Sequence, residues 1–104
     1  EVLKISNSNS ISDRFLLNDN YPNPFNPLTT INYNIPVDGF VNITIYDMMG
    51  RVVKTLVNIS QTAGFKSVQW NATNDRNDPV STGLYLYTIQ AGNFRQTKKM
   101  VLLK

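Results

Sequence analysis

From Thr29 onward, apolar and polar residues alternate with a period of two. Ile31, Tyr33 and Ile35 interleave with Thr30, Asn32 and Asn34; after a break at Pro36 and Gly39 the pattern resumes as Val41, Ile43 and Ile45 against Asn42 and Thr44. Successive strand side chains point to opposite faces, so each run predicts a half-buried β-strand. Asp47-Met48-Met49-Gly50 reads as a short hairpin turn, Gly50 supplying a positive φ. In the return strand, residues 51–57, the mixed order Val52, Val53, Leu56, Val57 predicts an edge or a bulge. Residues 58–64 read as a turn region, and residues 65–71 as a strand with Val68 and Trp70 on one side. After the longest break, residues 71–83, a strand over 84–91 sets Tyr85, Tyr87 and Ile89 on one face. Gly92-Asn93 then turns the chain into a last strand over 94–103. With a short strand at Phe15-Leu16-Leu17, the total is about seven, which predicts an all-β, immunoglobulin-like antiparallel β-sandwich. A small closed barrel is the alternative that pattern alone leaves open.

Two segments break the alternation. In Tyr21-Pro22-Asn23-Pro24-Phe25-Asn26-Pro27, three prolines exclude a helix or a central strand and predict a stiff strap, anchored to the core by Tyr21 and Phe25. At the other end, Arg95, Thr97 and Lys99 face one way and Gln96 and Lys98 the other, so the first half of the last strand is polar on both sides. Met100 and Leu102 then oppose Val101 and Leu103, so its second half is apolar on both. A strand in a two-layer sandwich needs one apolar face; the other calls for cover by the strap, by an N-terminal strand or by another protein. Residues 1–12, rich in Ser and Asn, read as a linker with a short strand at 2–5, and residues 13–104 as the sandwich. Because the first residue is Glu1, the chain is expected to be a fragment.

Composition narrows the chemistry. The 104 residues suit one core, and with neither cysteine nor histidine there is no thiolate, no disulfide and no imidazole base or ligand. The carboxylates Glu1, Asp13, Asp19, Asp38, Asp47, Asp75 and Asp78 fall in linkers and turns with no paired arrangement, so no enzyme activity and no cofactor are expected. A net charge of +3 is too small a footprint for nucleic-acid binding. Thr73, Asp75 and Asn77 alternate as in some calcium loops, but the turn glycine and downstream glutamate are missing and Arg76 opposes a cation, so turn chemistry is preferred over a metal. Tyr33, Tyr46, Trp70, Tyr85 and Tyr87 could form a stacking platform for sugars, yet their strand-period spacing favours the core, with Tyr46 the exception.

The strap, the strand and turn through Gly50-Arg51-Val52-Val53, Trp70, Ser81-Thr82-Gly83-Leu84-Tyr85 and the closing Lys98-Lys99-Met100-Val101-Leu102-Leu103-Lys104 occur in an order that resembles the type A C-terminal sorting domain of the type IX secretion system. The resemblance covers about residues 15 to 104. It implies an immunoglobulin-like domain that directs a cargo, N-terminal in the same chain, to the cell surface or medium. The implied partners are the outer-membrane translocon and its shuttle proteins, with a sortase-like protease that cleaves ahead of the domain, here in or before residues 1–14. Lys98, Lys99, Met100, Val101, Leu102, Leu103 and Lys104 are the expected sorting motif, and Tyr21, Pro22, Asn23, Pro24 and Phe25 the structural strap. Where the family usually carries an Asp-Gly pair, this chain has Asn71-Ala72, which predicts a looser loop after the tryptophan. The competing reading is a β-sandwich accessory module of an extracellular hydrolase, binding carbohydrate or spacing domains, which requires an exposed aromatic row.

Overall fold

A computed structural model describes residues 13–103. The expected linker over 1–12, its short strand and Lys104 lie outside the described residues. Seven strands follow in order: β1 (Leu16–Leu17), β2 (Thr29–Ile35), β3 (Gly39–Asp47), β4 (Val52–Gln61), β5 (Gly64–Trp70), β6 (Gly83–Ala91) and β7 (Phe94–Leu102). They form two open antiparallel sheets, β1-β2-β5 and β4-β3-β6-β7, so the sandwich holds and the barrel does not.

The alternating residues do what their period dictates. Ile31, Val41, Ile43, Ile45, Tyr87 and Ile89 are fully buried between the sheets, around Trp70. The Asp47–Gly50 turn closes with Gly50 at φ 87°, the Asp47 N–H donating to the Arg51 carbonyl at 3.0 Å. At the start of β6, the Tyr85 hydroxyl donates to the Ser81 carbonyl four residues back, the tyrosine corner of immunoglobulin-like sandwiches. β4 is an edge strand, and its register against β3 shifts between Ile43 and Thr44 and again between Ile45 and Tyr46, the irregularity its mixed pattern predicts.

Three expectations need correction. The return strand runs on to Gln61, because Asn58, Ile59 and Ser60 continue the ladder against Asn42, Val41 and Phe40. Beyond the core both of their faces are wet, so no apolar period marks them as strand. Asn34, expected on a solvated face, is fully buried beside β1, paired with Leu16, its amide donating to the Arg14 carbonyl at 2.7 Å. Finally, the loop after Trp70 is closed rather than loose. The Asn74 carboxamide oxygen accepts from the Arg76 and Asp78 N–H groups at 2.9 and 3.0 Å, and Ala72 itself takes the positive φ, 62°, that glycine would adopt more freely.

Candidate functional site

The two segments that break the alternation meet in space. Phe25 forms a parallel bridge with Leu102: its N–H donates to the Val101 carbonyl at 3.0 Å, and its carbonyl accepts from the Leu103 N–H at 2.9 Å. The Asn23 side-chain oxygen accepts from the Val101 N–H at 2.9 Å. The strap therefore covers the outer edge of the β7 tip. Directly paired residues share a face, so Phe25 enters the core with Leu102 and stacks obliquely on Trp70 at 5.7 Å. Trp70 in turn meets Tyr85 edge-on at 5.3 Å and donates from its indole N–H to the Thr73 carbonyl.

Pairing also corrects the expected role of Tyr21. Its backbone exchanges two 2.9 Å bonds with Thr30, which sits on the outer face of β2, so the Tyr21 ring turns outward and is 78% exposed. Of the two expected anchors, only Phe25 is one. The other foothold is polar and was missed: Asn20 donates from its amide to the Thr29 hydroxyl at 3.0 Å, and Thr29 donates to the Pro22 carbonyl at 2.8 Å. The Asn20 N–H meets the Tyr87 hydroxyl, which donates to the Asn18 carbonyl, both at 2.8 Å. Burial pushes the Tyr87 phenol up to about 12. A signal was available, since Thr29 lies in phase with Ile31, Tyr33 and Ile35, and a hydroxyl on a core face needs a partner.

The closing strand divides by face. Met100 and Leu102 are fully buried, and Lys98, on the same side, is tied to Asp19 at 3.0 Å. Lys99, Val101 and Leu103 face outward, Lys99 and Leu103 exposed and Val101 half-buried. Cross-strand register sets Val101 beside Leu84, and Lys99 beside Leu86, which leads on to Tyr46 and Val52. Leu84 is 45% and Val52 57% exposed, so an apolar stripe crosses the outside of the four-stranded sheet and ends at β7.

Three of the carboxylates accept from backbone N–H groups. Asp38 accepts from the Ala63 N–H at 2.8 Å and Asp75 from the Thr55 N–H at 3.0 Å. Asp47 is held below the usual carboxylate range chiefly by the Arg51 N–H, aided by the Met49 N–H and the Arg51 guanidinium. In the loop over residues 73–78 the place of a cation is taken from within: the Lys54 ammonium donates to the Asn77 side-chain oxygen at 3.0 Å and to the Thr73 hydroxyl and Asn74 carbonyl at 3.3 Å. Among the described residues no group of three or more acidic side chains gathers for a metal. Tyr33, Trp70, Tyr85 and Tyr87 are core residues; the exposed rings Tyr21, Phe40 and Phe65 sit on the strap, β3 and β5 and make no row on one sheet.

Against known proteins, the model of the secretion system C-terminal sorting domain matches residues 19–103. No curated protein matches the chain. Among solved structures, dimeric latent PorU from Porphyromonas gingivalis superposes with a TM-score of 0.65 at 22% identity, over 86% of this chain and 9% of PorU. PorZ, an essential surface component of the type IX secretion system of the same bacterium, gives 0.57 at 19% identity, over 88% of this chain and 12% of PorZ. FlgD from Pseudomonas aeruginosa gives 0.56 at 25% identity, over 71% of this chain and 57% of FlgD. The chain thus spans about a tenth of the length of PorU and of PorZ.

Proposed function

The chain belongs to the secretion system C-terminal sorting domain family, and on that premise we propose that its closing strand, presented by the sandwich and flanked by the strap, is the part the type IX machinery reads. Domains of this family are the sorting signal of that system and mark a cargo for passage through the outer membrane to the cell surface or medium. The observation that carries the reading is the outward trio Lys99, Val101 and Leu103, which continues an apolar stripe the core does not require. The recognised partners are the outer-membrane translocon and its shuttle proteins. Residues 1–12 join the sandwich to a cargo domain, and a sortase-like protease cleaves in or ahead of residues 1–14. We read the domain itself as non-catalytic, since Asp38, Asp47 and Asp75 accept from backbone N–H groups while Asp19 and Asp78 lie against cations, rather than converging on a cleft.

Fusing the whole chain to a secreted reporter in a type IX-competent bacterium tests this. Export is expected with the intact domain and lost without residues 98–104; equal export of both would sink the reading. A surface-only variant, Lys99→Ala with Val101→Ser and Leu103→Ser, should also lose export while remaining folded.

A further inference from the structure

Part of the β7 edge is left open. Its odd-numbered residues aim their backbone groups away from β6: the Val101 carbonyl and Leu103 N–H reach Phe25, and the Val101 N–H reaches Asn23. By the strand period, the N–H and C=O groups of Arg95, Thr97 and Lys99 point the same way. Among the described residues no strand lies beside them. The opposite edge of the same sheet is treated differently, since the 73–78 loop lies along β4, with the Asp75 N–H on the Val53 carbonyl and its carboxylate on the Thr55 N–H.

An open edge is a template for another strand, and its side chains decide which. Arg95 and Lys99 are exposed on one face with Thr97 between them. A second copy added antiparallel about Thr97 would set Arg95 opposite the copy's Lys99 at both ends, and like charges directly opposite are destabilising. Lys98 is already engaged by Asp19, whereas Lys99 pairs with no carboxylate among the described residues. The charges that turn away a copy favour carboxylates. We propose that the edge over residues 95–99 takes an extended acidic segment of another protein by strand addition. The partner's main chain bonds to Arg95, Thr97 and Lys99, and carboxylates four residues apart on it lie against Arg95 and Lys99. This rests on β7 being the recognised strand, and it moves the main-chain contact from the tip, whose edge the strap fills, to the basic half.

The test measures fluorescence anisotropy of labelled synthetic peptides with the full chain: one alternating valine and glutamate, its valine–lysine counterpart, and the glutamate peptide interrupted by prolines. The glutamate peptide alone should bind, more weakly as salt rises. Thr97→Pro removes an edge N–H that β6 does not use, a change edge strands tolerate, together with the hydroxyl bond to Thr88 at 2.7 Å, and should weaken binding about tenfold or more in a chain that remains folded. Arg95→Glu with Lys99→Glu should invert the preference toward the lysine peptide, an arm that stands even if the proline variant does not fold. Equal binding of the acidic and basic peptides, undiminished binding by folded Thr97→Pro, or dimerisation of the wild type that Thr97→Pro abolishes would each overturn the proposal. In the reporter assay, normal export of the Arg95→Glu/Lys99→Glu variant alongside failure of the Lys99→Ala/Val101→Ser/Leu103→Ser variant would overturn this inference alone. Export of both would remove the parent reading as well.

Discussion

The Tyr87 hydroxyl accepts from the Asn20 N–H and donates to the Asn18 carbonyl, so one buried phenol fixes the turn from which the strap departs. Tyr87→Phe keeps the ring but leaves the buried Asn20 N–H and the part-buried Asn18 carbonyl unpaired, and should cost about 1–3 kcal/mol in denaturant unfolding. The same group sets an alkaline limit. Its phenol titrates near 12 in the fold against 10.0 when exposed, so above pH 10 the unfolded chain gives up the proton first and stability falls as pH rises toward 12. Tyr33, also raised by burial, acts in the same direction. Chevron or equilibrium midpoints measured from pH 9 upward should therefore decline, and decline less in Tyr87→Phe. Nothing in the alternation of β6 distinguishes this tyrosine from Tyr85; only the fold shows which hydroxyl meets which turn.

At the scale of elements, the strap shows what a sequence can and cannot declare. Three prolines made it legible as a stiff non-helical segment, but Tyr21 and Phe25, both aromatic and four residues apart, look equally fit as anchors. Their fates follow from partners far along the chain, Thr30 on an outer face and Leu102 on an inner one. Phe25→Ala should accordingly cost about 3–5 kcal/mol, while Tyr21→Ala should stay within about 0.5 kcal/mol, a contrast that thermal or denaturant unfolding reads directly. The extension of β4 to Gln61 was hidden for a related reason, since a ladder wet on both faces carries no hydrophobic period. In the 73–78 loop, oxygen ligands were visible in the sequence and the Lys54 ammonium that fills them was not. Because that cation is tethered, the melting temperature should be unchanged by added calcium or by a chelator. Lys54→Met should instead lower stability by about 1.5–3 kcal/mol, the scale of hydrogen bonds to a charged group.

For the whole molecule, the sandwich was legible because seven short strands with turns between them leave few other ways to bury one face each. The site was legible only as two unusual segments; that they pair with each other is a product of long-range topology. This pairing changes how recognition must be tested. Met100 and Leu102 are fully buried and Phe25 bonds across the tip, so deleting residues 98–104 removes core and strap support along with any recognition surface. The two effects separate by face. Met100→Ala or Leu102→Ala should cost about 2–5 kcal/mol, and any fall in export should follow the fall in melting temperature. Lys99→Ala and Leu103→Ser, on the outer face, should shift stability by no more than about 0.5 kcal/mol, so a loss of export in those variants has to come from the translocation machinery. If export instead follows melting temperature across both faces, the closing strand serves the fold and the signal is read elsewhere on the domain.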